Sequence, residues 1–467
     1  MLRRSVLVPL IVACALFMEN LDSTVLATSL PAIARDFGES PVRLSFAITS
    51  YLFSLAVFIP ISGWIADRFG ARNVFRAAIV VFLLGSILCG LSGSLWELVG
   101  ARMLQGLGGA MMVPVGRLVL LRSVTKAEMV GAMAWLTVPA LVGPVIGPLL
   151  GGFITTYAHW RWNFWINIPI AVLGLVLVTR YIPDLPQPRP PRFDTGGFLL
   201  TAAGLVGLMF GFETIGRDIV PGWTSAVLLG VGAVCIGLYV AHAARTTHPV
   251  LDLGLLAVPT FRAAIIGGFL FRIGIGALPF LLPLLLQAGF GLDAFQSGQL
   301  TFAAALGALT MKFAAKPILR RFGFRRVLLG NALLSGLSLA AIALFRPDTP
   351  HLVVLGVLLV GGFFRSLQFT SINTLGYADI DQQRLSRATS FTSMAQQLAL
   401  SAGVATGAIV LHATMAARAG SALSPGDFVP AFLLIGACAV LSAAAYLRLP
   451  HDAGAEVSGH LRPAQER

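Results

Sequence analysis

Charged residues are scarce in this sequence. Only 11% of its 467 residues are Asp, Glu, Lys or Arg, whereas 57% are hydrophobic and the mean hydropathy is +0.84. Soluble domains carry about 25% charged residues, because their surfaces face water. The scarcity therefore excludes a soluble globular protein, and we expect most of the chain to lie in lipid.

Cysteine and histidine are also rare. The four cysteines lie within apolar runs without forming a CxxC pair, which favours buried small hydrophobic residues over metal ligands or disulfides. The seven histidines fall near the ends of apolar segments or between them, and no phosphate-binding loop is present. The sequence predicts no metal site, no cofactor and no enzyme activity, so we expect an ion gradient to supply energy.

Apolar segments long enough to cross a bilayer follow one another along the chain. They predict an all-α membrane protein with about fourteen transmembrane helices. An even number of spans places both termini on the same side of the membrane. The predicted spans are residues 5–28, 43–66, 75–94, 96–118, 129–155, 163–181, 195–214, 223–241, 260–288, 295–315, 326–345, 351–374, 387–412 and 428–449.

The basic residues are distributed unevenly between the two sides. Of the 33 Lys and Arg residues, about 24 fall on the side that holds both termini and about six on the other side. Because basic residues concentrate in cytoplasmic loops, we expect both termini in the cytoplasm. This bias accounts for the net charge of +13 without nucleic acid as a partner. Three arginines, Arg102, Arg272 and Arg365, remain inside predicted spans.

A short loop sequence occurs twice. GWIADRFGARNVF follows the second span and KPILRRFGFRRVL follows the tenth, and both contain R-F-G-x-R. Internal repeats are typical of secondary transporters. Eight spans separate the copies where two six-helix bundles alone would give six, so the spans at 195–214 and 223–241 are predicted to be an insertion. The predicted domains are an N-terminal bundle (1–181), a linker with the inserted helices (182–259), a C-terminal bundle (260–449) and a tail (450–467).

The first loop copy resembles the loop motif of the major facilitator superfamily. Its matching residues are Gly63, Asp67, Arg68, Gly70 and Arg72. Two departures are that Ala71 replaces a usual basic residue and that the second copy has Arg320 in place of the acid.

Four further segments are similar to motifs of the fourteen-span drug/proton antiporter branch of that superfamily. They are LDSTVLATSLP, ARMLQGLGGA, VGPVIGPLLGG and WRWNFWINIPI. The resemblance implies the major facilitator fold, with two six-helix bundles around a cavity. It also implies a monomeric efflux transporter of the bacterial inner membrane, which exchanges protons for drug-like or amphipathic small molecules. The alternatives are an exporter of an anionic metabolite or metal chelate and, from a different class, a membrane enzyme or passive channel.

The first span carries two acids on nearly the same helix face, Glu19 and Asp22. Each costs roughly 2.5–3.5 kcal/mol to place in lipid. Because neighbouring carboxylates in a low dielectric repel each other, at least one is expected to bind a proton. We predict that this face couples transport to protons, with Asp22 ranked first because it matches the family motif. The alternatives are that Glu19 binds a cationic substrate group and that Asp22 anchors the helix end.

Arg102 is the predicted partner of these acids. It lies about 9 Å from the outer end of its span, as does Asp22. In the fold that the resemblance implies, both helices border the central cavity. We predict an interaction between Asp22 and Arg102, direct or through water; the alternative is that each binds backbone or water independently.

Polar and methionine side chains within the spans are candidates for the substrate cavity. The arginines suit an anionic substrate or serve as partners for acids and backbone. The methionines suit promiscuous binding, with core packing as the alternative. The candidates are Arg272, Arg365, Gln105, Gln368, Gln396, Asn373, Met111 and Met112.

Two motifs are candidates for conformational control. The loop acid Asp67, with Arg68, Gly70 and Arg72, is predicted to be a latch, or else Asp67 is a solvated turn residue. In the fifth span, small residues at a spacing of four allow close helix approach and prolines kink the helix. They indicate static packing or a hinge that seals against proton leak. These residues are Gly143, Pro144, Gly147, Pro148, Gly151 and Gly152.

Overall fold

The protein is described by a computed structural model that covers residues 4–39, 41–183, 192–214, 221–418 and 423–460. Within these ranges the regular secondary structure is helical. Eleven helices there are long and apolar enough to cross a membrane, and a bent pair adds one more. The longest of the eleven breaks in two at Gly323, and Met129–Tyr157 is a further helix of 29 residues. The prediction of an all-α fold with about fourteen spans is confirmed.

The N-terminal half packs mainly through its first helix. α1 contacts α5, α6 and α8, while α4 packs on α5 and α8, and α2 packs on α5. The helices are α1 (Arg4–Phe37), α2 (Pro41–Phe58), α3 (Ser62–Phe69), α4 (Ala71–Leu91), α5 (Leu95–Ser123), α6 (Met129–Tyr157), α7 (Trp162–Trp165) and α8 (Asn167–Tyr181).

The C-terminal half has a corresponding set of contacts. α11 packs on α13, α14 and α15, and α12 packs on α13 and α15. The helices are α11 (Pro259–Leu284), α12 (Ala294–Ala341), α13 (His351–Ala378), α14 (Leu385–Ala417), α15 (Val429–Leu441), α16 (Ala443–Tyr446) and α17 (Ala455–Ser458). Two further helices lie between the two halves in the chain, α9 (Thr195–Thr214) and α10 (Gly222–Ala243).

The two inserted helices pack closely on each other. A Cβ added at Gly207 of α9 would lie 2.9 Å from the Cα of Gly232 in α10, an approach that only small residues allow. α9 also contacts one helix of each half, and Met209 shares an apolar cluster with Ala56 of α2 and Met394 of α14. The inserted hairpin therefore lies against both bundles. The domain limits given above remain a prediction.

The repeated loops play the same structural part in both halves. Gly70 and Gly323 have φ angles of 89° and 72°, a region that favours glycine. Arg72 then donates to the carbonyl of Thr179 in the last turn of α8. Arg325 likewise donates to the carbonyl of Leu447, just beyond α16, at 2.9 Å. The two arginines thus cap the C-terminal ends of α8 and α16, where a cation is favourable.

Two predicted spans differ from the structure. α1 does not end near residue 28 but runs through Pro31 to Phe37, because its outer end is held by Asp36, which accepts from Trp160 (3.1 Å) and Arg161 (2.9 Å). The span predicted at 43–66 is broken, since α2 and α3 meet at 62° around Pro60. A proline within a helix removes one backbone donor and clashes with the preceding turn, which explains the bend.

Candidate functional site

Asp22 lies at the centre of a buried polar cluster in the N-terminal half. Its Oδ2 atom accepts from Nη1 of Arg102 at 2.6 Å, and both side chains are only 1% exposed. Its Oδ1 atom accepts from Gln105 at 2.8 Å and from Asn167 at 3.2 Å. The interaction predicted between Asp22 and Arg102 is therefore direct, and the carboxylate is charge-balanced.

Arg102 has further partners on α2 and α5. It donates through Nε to the carbonyl of Ala47 at 3.3 Å and through Nη1 to Oε1 of Gln105 at 2.6 Å. Its guanidinium also lies 4.4 Å from the centre of the Tyr51 ring, within the range of a cation–π contact. Gln105, predicted to line the substrate cavity, instead has both ends of its amide engaged inside this cluster.

Glu19 is in the opposite situation on the same face of α1. It is buried, yet its Oε2 atom has no hydrogen-bond partner among the residues that the structure describes. The Tyr51 hydroxyl lies beside its carboxyl group, but that hydroxyl also lacks a hydrogen bond of normal geometry in the described part of the chain. One helix face thus carries an acid that is paired with a cation and an acid that is not.

Two members of this cluster were missed from the sequence. Asn167 donates to Asp22 and, at 2.9 Å, to the hydroxyl of Ser86. Ser86 in turn donates to the carbonyl of Phe164 at 2.8 Å. A polar amide inside the apolar run WRWNFWINIPI was the available signal for Asn167, because buried amides need hydrogen-bond partners. Ser86 carries no such signal, since many buried serines bond their own helix.

A second buried cluster joins the two halves through Arg117 of α5. Arg117 donates through Nη1 to the Tyr377 hydroxyl of α13 at 3.2 Å and through Nη2 to Oε1 of Gln396 of α14 at 3.0 Å. The Oδ1 atom of Asn373 accepts from both Gln396 (3.0 Å) and Arg272 (2.9 Å). Three predicted cavity residues, Arg272, Asn373 and Gln396, are therefore brought together. Arg117 was missed because its position near a span end made it resemble a loop residue.

The remaining cavity candidates lie inside the bundles. A Cβ added at Gly361 would lie 2.8 Å from Nη1 of Arg365 and 3.1 Å from Oγ of Ser338, so Arg365 faces α12 within the C-terminal half. Gln368 of α13 donates to the carbonyl of Leu328 in α12 at 3.3 Å. Both side chains therefore pack between helices of the C-terminal bundle. Met111 and Met112 belong to the buried core, with exposures of 6% and 0%.

Asp67 links the two halves where α3 meets α14. Its Oδ1 atom accepts from Arg122 at 3.1 Å, and its Oδ2 atom accepts from the hydroxyl of Ser386 in the first turn of α14. The Ser62 and Ser390 hydroxyls lie 2.8 Å apart beside it. Asp67 is thus a buried inter-half contact rather than a solvated turn residue.

The other residues predicted for the latch have different structural roles. Arg68 is exposed, while Arg72 caps α8 and Gly70 provides the turn. The cation beside Asp67 is instead Arg122. Lys126 and Glu456 form a separate, exposed ion pair between the two halves. Lys126 donates to Glu456 at 2.7 Å and lowers the pKa of that carboxyl.

We expect Asp67→Asn to shift the protein away from the conformation closed at α3 and α14. A hydrogen bond to a charged group contributes roughly 1.5–3 kcal/mol, enough to change the ratio of two conformations more than tenfold. Spin labels on α3 and α14 report the distance distribution. Glu456→Gln, which breaks the pair with Lys126 at 54% and 77% side-chain exposure, is the matched control and should change little. Equal distributions for Asp67→Asn and wild type would contradict the latch.

The glycines of the fifth-span motif pack α6 on α1. A Cβ at Gly143 would lie 2.8 Å from that of Asn20, and a Cβ at Gly147 would lie 2.8 Å from that of Thr24. Gly152 has no atom within 4 Å of an added Cβ, while Gly151 is buried. The motif therefore supports the helix that carries Glu19 and Asp22. A hinge or seal role for these glycines, and for Pro144 and Pro148 of the same helix, stays a prediction.

Gly147→Ala is expected to destabilise the protein. The added methyl group would overlap Thr24, and overpacking of this kind costs about 1–3 kcal/mol. The loss of stability is measured by heating the protein in detergent and recording the fraction that stays monodisperse at each temperature. Gly152→Ala is the control with the same chemistry and open space. An equal melting temperature for both variants would show that α1 and α6 are not in close contact at Gly147.

Metal binding has no visible basis in the described residues. No group of three or more His, Cys, Asp or Glu side chains in them is placed to hold a metal ion, and all four cysteines, Cys14, Cys89, Cys235 and Cys438, are free. The described sites are therefore networks of acid, arginine and amide groups inside a helical bundle.

Known proteins with similar sequences are named for multidrug resistance. Multidrug resistance protein MdtD from Salmonella paratyphi B is 39% identical over 445 residues, which cover 95% of this chain and 94% of the relative. MdtD from Salmonella typhimurium is 40% identical over 446 residues, with the same coverage.

Solved structures with the same fold cover nearly the whole chain. The human organic anion transporter MFSD10 has a TM-score of 0.68 at 16% identity and covers 95% of this chain and 100% of its own. The proton:xylose symporter XylE has a TM-score of 0.67 at 16% identity, and the match covers 97% of this chain and 98% of the XylE chain. The Major Facilitator Superfamily profile matches residues 12–404 and 264–462. Helices, repeats and relatives agree, and the chain belongs to the major facilitator superfamily of multi-pass membrane transporters.

Proposed function

We propose that this protein exports drug-like or amphipathic small molecules across the bacterial inner membrane in exchange for protons. The proposal rests on Glu19, a buried carboxyl group that has no cation partner among the described residues and lies on the same helix face as an ion-paired acid. The similarity to proteins named for multidrug resistance supports efflux. The protein would work as a monomer with both termini in the cytoplasm, and the proton gradient would replace any cofactor.

In the proposed cycle, Glu19 carries the proton. An ionised carboxylate buried without a partner costs several kcal/mol, so the conformation described here favours the neutral acid. Asp22, ranked first from the sequence, accepts a hydrogen bond from Arg102 and so holds that cation beside α1. Rocking of the two halves would change the surroundings of both acids together. Release of the proton on one side and uptake on the other would then follow from the change in conformation.

The contacts between the halves suggest which way the described conformation faces. Asp67 with Ser386, and Arg117 with Tyr377 and Gln396, join the halves near the loops that we place in the cytoplasm. We therefore assign the conformation as closed to the cytoplasm. Breaking these contacts would open the cytoplasmic entrance to substrate.

Uptake of ethidium into inside-out proteoliposomes tests the export proposal. With the lumen acidified, ethidium is expected to accumulate above its external concentration, and a protonophore should release it. A passive channel, the minor alternative, can only equalise the concentrations. Accumulation that persists after the pH gradient is dissipated would contradict proton coupling.

A second candidate function is export of an anionic metabolite or metal chelate. The observation in its favour is the pair Arg117 and Arg272, whose hydrogen-bond partners in the described part of the chain are neutral.

A further inference from the structure

Resting on the proposed export function, we propose that the transported substrate carries a carboxylate or a similar planar anionic group, bound between Arg117 and Arg272. Arg117 is the new member of this site. It was not among the residues that the sequence indicated, and it comes from the opposite half of the protein to Arg272.

The first observation is that both cations are buried with neutral partners only. Arg117 and Arg272 are 5% and 3% exposed. Their hydrogen-bond acceptors are the Tyr377 hydroxyl, the Gln396 carbonyl and the Asn373 carbonyl. Among the residues that the structure describes, no carboxylate forms an ion pair with either arginine. Buried cations are normally paired, because a buried charge without a partner is strongly destabilising.

The second observation is that each guanidinium keeps an unused donor. The Nε atoms of Arg117 and Arg272 are buried without a hydrogen-bond partner in the described part of the chain. The two like charges are also held in one network, because Gln396 accepts from Arg117 and donates to Asn373, which accepts from Arg272, and at this range they repel each other. An anion between them would relieve that repulsion and accept from the free donors. The planar guanidinium fork matches the two oxygens of a carboxylate, which favours this chemical class.

The third observation concerns the transport cycle. Both hydrogen bonds of Arg117 run to the C-terminal half, to Tyr377 and Gln396, so they must break when the halves separate on this side. Asn373 and Arg272 both belong to the C-terminal half and can stay together. Opening would therefore expose the Arg117 guanidinium to the entrance from which an exported substrate arrives.

The acids of α1 do not supply the missing charge. Asp22 is already paired with Arg102, and Glu19 has no cation partner among the described residues. Arg365, the other arginine considered for an anionic substrate, also keeps an unbonded Nη1 atom in the described part of the chain, but it lies beside α12 within the C-terminal half. Arg117 and Arg272 are instead linked across the two halves through Gln396 and Asn373, so we place the site at this pair.

Two probes that differ only in charge test the site. Naphthalene-2-carboxylate and naphthalene-2-carboxamide have nearly the same shape, and their affinities for the purified full chain in nanodiscs can be measured by calorimetry. We expect wild type to bind the carboxylate at least about tenfold more tightly, because hydrogen bonds to charged groups are the stronger ones. Arg117→Gln and Arg272→Gln should abolish the preference while binding of the amide persists. Arg117→Lys should keep part of it, because the charge remains without the fork.

Arg365→Gln is the matched control, since it also removes a buried arginine but should preserve the preference. A preference unchanged in monodisperse Arg117→Gln protein, or wild type that binds the carboxylate no better than the amide at millimolar concentrations, would overturn the proposal. Proton-driven uptake of naphthalene-2-carboxylate by the same wild-type protein, reconstituted into proteoliposomes, separates the two proposals. Loss of proton-driven uptake with an intact carboxylate preference would count against the export mechanism alone.

Discussion

Asp22→Asn and Arg102→Gln are each expected to destabilise the protein strongly, and the double variant much less than the two effects combined. Each single change leaves a buried charge without its partner, which costs about 3–5 kcal/mol. The pair is 1% exposed on both sides and 2.6 Å apart, so water cannot replace the lost partner. The double variant removes both charges and leaves amides that can bond Gln105 and Asn167.

A double-mutant cycle measures this coupling. The four proteins are purified in detergent, and their unfolding is followed by heating and by denaturant. The interaction energy is the amount by which the effects of the single changes fail to add. Additive effects would show that Asp22 and Arg102 stabilise the fold independently. Such a result would also contradict the proposed role of the Asp22–Arg102 ion pair in proton coupling.

Glu19→Gln is expected to abolish accumulation driven by a pH gradient while substrate binding persists. Glutamine has nearly the same size and polarity as the neutral acid, so the packing beside Tyr51 should survive. It cannot release a proton, however, and the exchange of substrate for protons would lose its carrier. Exchange of labelled for unlabelled substrate, which needs no net proton movement, should continue.

The control for this variant is Glu97→Gln. Glu97 lies at the exposed start of α5, where it accepts from the backbone of Gly93 at 2.8 Å. Uphill uptake of ethidium and substrate exchange are measured on the same proteoliposomes. Wild-type accumulation by the Glu19→Gln protein would exclude Glu19 as the proton carrier, and loss of both activities would point to a structural role instead.

The sequence predicted the architecture because its signals are local. Bilayer length fixes the apolar spans, and the cost of charge in lipid makes Asp22 and Arg102 conspicuous. Equal depth in the membrane was enough to predict their contact. The doubled loop motif likewise indicated the inserted pair α9 and α10, because its copies are separated by two more spans than six-helix bundles require.

What the sequence did not predict depends on tertiary packing. Arg117 resembled a loop residue, since the rule for basic residues does not distinguish a side chain at a span end from one that reaches into the protein. Gln105 was assigned to a cavity, although it turns towards Asp22. The partner of Asp67 was sought among nearby arginines in the loop, but Arg122 lies 55 positions along the chain. Such pairings are decided by how helices meet.

Substrate and protons are expected to move in exchange through Glu19, and a measurement of proton movement tests this exchange most directly. Proteoliposomes loaded with substrate and a pH-sensitive dye are diluted into substrate-free buffer at the same pH. As substrate leaves through the wild-type protein, protons are expected to enter and acidify the lumen, and Glu19→Gln should show no acidification. Substrate efflux through wild type at a normal rate with a constant lumenal pH would contradict the account.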